Sequence, residues 1–133
     1  MKRVLPTLAL IVCSSSACPS PSAAACEKAI SCDPDTDENS AEEQQEIETC
    51  VANQDTFLAD LRASSARACV ALANAFDAQS TCNAALECDE LNAPTDDTCK
   101  QEREAIAAAC DAVVGTDCES RVTFSCGLGS EPP

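Results

Sequence analysis

Ten cysteines between residues 26 and 126 constrain this chain more than any other feature. They are Cys26, Cys32, Cys50, Cys69, Cys82, Cys88, Cys99, Cys110, Cys118 and Cys126, and two more, Cys13 and Cys18, precede them. Cysteine at this density in a short chain points to a disulfide scaffold. The apolar residues show why one is needed. From residue 18 onward there are 17 Leu, Ile, Val and Phe among 116 residues. That is about 15%, under the roughly 20% below which a highly charged chain is expected to stay disordered. Each native bridge typically contributes about 2–4 kcal/mol by restricting the unfolded chain. The expectation is an all-α, small disulfide-braced helical bundle in which cross-links do what a sparse core cannot.

The cysteines fall in two series. Cys26-Glu27-Lys28-Ala29-Ile30-Ser31-Cys32-Asp33 is echoed by Cys82-Asn83-Ala84-Ala85-Leu86-Glu87-Cys88-Asp89. Aligning 26 with 82 also sets Glu48-Thr49-Cys50 against Asp97-Thr98-Cys99, and Ala66-Arg67-Ala68-Cys69 against Ala107-Ala108-Ala109-Cys110. Two duplicated units, 26–81 and 82–126, are one reading; coincidence in a sequence of low diversity is the other.

The pattern within the series is helical. Ser40-Ala41-Glu42-Glu43 is a capping box. Behind it, the apolar positions from Ile47 through Phe57, Leu58, Leu61, Cys69 and Leu72 to Phe76 fall within about 120° on a helical wheel. The stripe is either one long helix or two, broken at Asn53-Gln54-Asp55 or at Ser64-Ser65. A second helix is expected from a cap at Asp97 or Thr98 to a stop at Gly115. Cys99 and Cys110 would then lie about 16 Å apart along its axis, too far to pair, since bridged α-carbons lie within about 7 Å. Cys26 and Cys32 would face different partners. Ten cysteines allow about 945 pairings; the expected pattern keeps pairs within units, with Cys118 and Cys126 closing the C-terminal end. Val122 and Phe124 alternate with polar residues like a short strand. Residues 127–133 read as a tail.

The start of the chain reads as an export signal. Met1-Lys2-Arg3 is basic, Val4 to Val12 is apolar apart from Pro6 and Thr7, and small residues follow. Residues 1–17 form the signal and 18–25 a flexible tether. Cys18, preceded by Ser16-Ala17, is the expected acylated residue. Cys13 is the weaker candidate, because bulky Val12 precedes it, and simple secretion after a cut within Ala23-Ala24-Ala25 is the third possibility. Cleavage before Cys18 leaves ten cysteines from residue 26 onward, an even number.

The net charge is -15. Lys2 and Arg3 are the only charges in residues 1–17, so the remainder carries -15 - 2, or -17. That argues against nucleic acid and anionic lipid surfaces as partners, both of which need positive charge. A lipid anchor is the only expected link to a membrane.

Motifs for chemistry are sparse. Asp33-Pro34-Asp35-Thr36-Asp37 resembles the start of a calcium loop, and Asp33, Asp35 and Asp37 are the candidate ligands. The pattern departs where Glu38 replaces the turn glycine and Gln44 stands where a closing Glu belongs. The plainer reading is a solvated acidic loop before a helix N-terminus. Zinc and iron–sulfur sites want paired, closely spaced cysteines or histidine, and the chain has no Cys-x-x-Cys and no His. Without an imidazole base, nucleophilic catalysis is not expected. Glu102 and Glu104 are the one carboxylate pair worth weighing as acid and base. No enzyme activity and no cofactor other than calcium are expected.

The basic start, the Val4–Val12 core, the Ser/Pro tether, the two Cys-x5-Cys segments and the acidic helices between them resemble the small cysteine-rich, alanine-rich lipoproteins of myxobacteria and related deltaproteobacteria. The resemblance covers the plan of the chain and implies an envelope location. The expected role is a non-catalytic structural or protein-interaction module, with an envelope or extracellular protein as partner.

Overall fold

A computed structural model describes residues 19–35 and 40–128. Six helices follow one another: α1 (Pro21–Ser31), α2 (Ala41–Arg62), α3 (Arg67–Ala85), α4 (Cys88–Asn92), α5 (Lys100–Ala112) and α6 (Glu119–Val122). No strand occurs among the described residues. The architecture is all-α and disulfide-braced, as the sequence leads one to expect.

Local chemistry explains the starts of α1 and α2. Ser20 caps α1, its side chain accepting the Ala23 N–H at 3.1 Å, and Pro21 follows in the first turn. There its fixed φ suits the helix and its missing N–H is not needed. The helix therefore takes in residues 21–25, part of the stretch read as tether, and buries Ser22 and Ala25. Ser40 caps α2 by accepting the Glu43 N–H at 3.0 Å, and Glu42 and Glu43 in the first turn face the favourable end of the helix dipole. Ser40→Ala is expected to lower stability by about 1 kcal/mol, measured by urea unfolding. A loss under about 0.3 kcal/mol would mean this cap contributes little to the folded state.

The long apolar stripe is two helices. The break falls at 63–66, where Ser64 Oγ accepts the Ala66 N–H at 3.1 Å and hydrogen-bonds Asp117 of the turn before α6. Asn53-Gln54-Asp55 lies inside α2. Arg62 and Asp77 form an ion pair between α2 and α3. α1 packs on both α2 and α3, and α5 packs on α3. The core at one end of this assembly holds Leu58, Leu61, Leu72, Ala73, Val113 and Val122, with Cys69, Cys110 and Cys118 among them. Phe57 and Phe76 pack beside it edge to face, ring centroids 5.4 Å apart.

Val122 does not form a strand. It ends α6 and is fully buried, while Phe124 is 99% exposed in the turns beyond. A strand needs a neighbour for its ladder, and a helical turn instead aims Val122 into the core. Gly127 and Leu128 continue the fold: Leu128 N–H donates to Thr123 O at 2.9 Å, and its side chain packs against the core. Residues 129–133 of the expected tail lie outside the described residues.

All ten cysteines from 26 to 126 are bridged: Cys26–Cys50, Cys32–Cys88, Cys69–Cys118, Cys82–Cys99 and Cys110–Cys126, with α-carbons 5.1–6.2 Å apart. Cys26 and Cys32 serve different partners, and Cys99 and Cys110 each reach another segment, as helix geometry requires. The expectation that pairs stay within units fails for two bridges. Cys32–Cys88 and Cys69–Cys118 join the two series. α3 crosses the 81/82 boundary without a break, so both series contribute to one helix. The pairing nevertheless follows the alignment. Cys26–Cys50 and Cys82–Cys99 join matching positions, the mutually matching Cys32 and Cys88 are bonded to each other, and Cys69 and Cys110 both reach the C-terminal segment. The spans overlap from 26 to 126, so the bridges form one interlocked covalent network.

Candidate functional site

Asp33 directly follows the α1 C-cap, and its carboxylate accepts the Asp35 N–H at 2.9 Å, an Asx turn. Asp33 and Asp35 are both exposed. Asp37, the third candidate calcium ligand, lies outside the described residues. The nearby Glu43 is only 7% exposed. It stands in the first turn of α2, where the helix dipole favours its charge, and accepts a long 3.4 Å hydrogen bond from Ser31 Oγ. Its burial ties α1 to α2, a structural role that the capping-box reading reached only in part.

Glu102 and Glu104 do not converge. Both lie in α5, two residues apart, and helical residues at that spacing do not face each other. Glu102 is half-buried and Glu104 exposed. Glu102 instead stands near Cys82 and Cys99, with a carboxylate oxygen and both sulfurs mutually within 4.8 Å. This is the one grouping of three potential metal ligands among the described residues, and its two sulfurs are bonded to each other.

Two clefts meet at Gln79 of α3. One, of about 280 Å³, runs between α2 and α3 past Phe57, Leu58 and Phe76, with Gln54, Gln79 and Asn83 at its edges. The other, of about 240 Å³, lies where α3, α4 and the start of α5 meet, beside Asn83, Leu86, Leu91, Pro94, Cys99 and Arg103. Gln79 borders both. Its Nε2 donates to Asn83 Oδ1 at 2.9 Å, while its Oε1 is buried without a hydrogen-bond partner.

The α5 start departs from expectation. Neither Asp97 nor Thr98 caps the helix. Cys99 stands at the N-cap in the left-handed region, φ 47 and ψ 37, with no side-chain cap bond. It is bonded to Cys82 in the last turn of α3, a tertiary link that local signals do not carry. Gly115 lies just beyond α5 with φ 81, as its role as a stop requires.

The two candidate lipidation sites, Cys13 and Cys18, lie outside the described residues. Among the described residues no helix is long and apolar enough to cross a membrane. Comparison with protein-family models, with curated proteins and with solved structures finds no match to this chain.

Proposed function

We propose that this protein is a non-catalytic structural or protein-interaction module of a bacterial envelope, held to the membrane by a lipid on Cys18. The observation that carries the reading is the interlocked network of five bridges. Bridges of this number belong to an oxidising, exported environment, and they fix one surface rather than one reactive centre. The basic start, the apolar Val4–Val12 run and the Ser16-Ala17-Cys18 step support the anchor. With -17 beyond residue 17 (-15 less the +2 of Lys2 and Arg3), the expected partner is a neutral or cationic protein surface, because an anionic polymer would be repelled.

Intact mass of protein taken from its native envelope tests this reading. The expected species starts at Cys18, carries acyl chains, and gains ten hydrogens on reduction, two for each of the five bridges. A free amine at residue 24, 25 or 26 without lipid would replace the anchor with secretion. A turnover activity abolished by Glu102→Gln in a folded protein would overturn the non-catalytic reading. Calcium held by Asp33, Asp35 and Asp37 is the competing proposal. Titration calorimetry with millimolar calcium is expected to give no binding heat; a heat removed by Asp35→Asn would favour calcium instead.

A further inference from the structure

Cys99 is the one non-glycine residue with positive φ among the described residues, and the chain around it is set up for another conformation. Residues 96–98 are already wound into a turn. Thr98 N–H donates to Thr95 O at 3.1 Å, Lys100 N–H to Asp97 O at 3.3 Å, and Thr95 N–H to Thr98 Oγ1 at 2.9 Å. Thr95 thus sits where a cap would sit, followed by Asp96 and Asp97, which a helix N-terminus favours. α5 starts afresh at Lys100. The left-handed residue between turn and helix is bonded to Cys82 in the last turn of α3, and a side chain in that conformation is strained.

We propose that Cys82–Cys99 is a redox switch built into the fold. A dithiol reductant of the envelope opens it before the other four bridges. Cys99 then leaves the left-handed region, and α5 extends backward to start at Thr95. The chemistry is thiol–disulfide exchange. The reductant's thiolate attacks Cys82 Sγ, because Cys82 is partly exposed while Cys99 is 8% exposed. The Cys82–Cys99 bond breaks, and its electron pair leaves on Cys99 Sγ at the N-terminus of α5, where the helix dipole favours the anion. The Glu102 carboxylate close to both sulfurs opposes that charge, and Lys100 follows directly in sequence. The reductant's second thiol then attacks the mixed disulfide and releases Cys82. In sum, two electrons and two protons pass to the cysteines, and the reductant becomes a disulfide.

Cys32–Cys88 competes through access, because Cys88 is exposed, but Cys32 has the ordinary φ of -90. Cys69 and Cys118 are fully buried. Cys50 and Cys126 are partly exposed, as Cys82 is, so access alone does not separate their bridges from Cys82–Cys99; the left-handed backbone does, since among the described residues only Cys99 combines a side chain with positive φ. Opening Cys82–Cys99 would also move Thr98 and Cys99, which line the cleft beside Leu86, Leu91 and Pro94. The oxidation state would therefore set the shape of that cleft.

The test is graded reduction of the folded protein with dithiothreitol, acid quenching, alkylation and peptide mapping. Cys82 and Cys99 are expected to be labelled first, with an equilibrium constant for opening about tenfold above that of Cys32–Cys88, which is about 30 mV in this two-electron couple. Helical circular dichroism is expected to hold or rise at that stage. First opening at any other bridge, or a loss of helix on opening this one, overturns the proposal. The Cys82→Ser/Cys99→Ser variant gives a second reading by amide exchange. Protection continuous from residue 99 into α5 is expected. Failure to fold would make the bridge a structural staple and end the proposal.

Discussion

Complete reduction of the five bridges is expected to unfold the protein without added denaturant. Among the described residues, the large side chains that are nearly or fully buried are Leu58, Leu61, Leu72, Val113 and Val122, while Phe124 and Val114 face solvent. Such a core is small for its chain. The shorter helices give little help of their own, since α1 has 11 residues and α5 has 13, and isolated helices of that length are marginal in water; only α2 and α3, with 22 and 19 residues, are longer. The acidic surface adds self-repulsion. With the cross-links gone, the unfolded chain regains the freedom that each bridge had removed. The measurement is helical circular dichroism against free-thiol count under strong reductant. Ten free thiols with the helical signal intact would refute the dependence of the fold on its bridges.

Removing Cys69–Cys118 alone is expected to cost more than removing any other single bridge. Its sequence separation is 49, for which loop-closure entropy gives roughly 4 kcal/mol. Cys32–Cys88 spans 56 residues and comes out almost the same on that term. The difference lies in packing. Both Cys69 and Cys118 are fully buried in the same cluster as Leu61, Leu72, Val113 and Val122, whereas Cys88 is exposed. Replacing the two buried sulfurs leaves a void that neighbours fill only in part. The Cys69→Ala/Cys118→Ala variant is therefore expected to lose about 4 kcal/mol or more, lowering Tm by more than about 15 °C. Calorimetry on it and on Cys32→Ala/Cys88→Ala tests the ranking. A loss under about 1 kcal/mol from the buried bridge would refute the account.

The sequence speaks clearly where a signal is local. Ser40 caps α2, Gly115 ends α5, and helix geometry correctly separates Cys26 from Cys32 and Cys99 from Cys110, whereas the stripe offered one helix or a break at either of two places, and only the structure selects Ser64-Ser65. Ser20-Pro21 is an equally local cap signal, and reading it as tether hid the first turn of α1. Features decided by distant contacts are not legible in this way. The bridges from Cys32 to Cys88 and from Cys69 to Cys118 depend on how α1 meets α4 and α3 meets α6. Cys99, bonded to the distant Cys82, stands left-handed at the N-cap of α5 in place of the cap expected at Asp97 or Thr98. Val122 alternates like a strand residue, yet a single helical turn buries it better than a strand without a neighbour would.

None of the five bridges joins cysteines that are neighbours in sequence order. Cys32 lies between Cys26 and Cys50, Cys88 between Cys82 and Cys99, and Cys118 between Cys110 and Cys126, while the other two bridges skip several cysteines. A chain threaded across a membrane from its amino end presents Cys26 and Cys32 together before Cys50 emerges. An oxidase acting on it in passing would join the wrong pair first. Maturation therefore calls for an isomerase that shuffles early, mistaken bonds, at a pace of seconds to hours that depends on that helper. Yield in a host without such an enzyme should suffer accordingly.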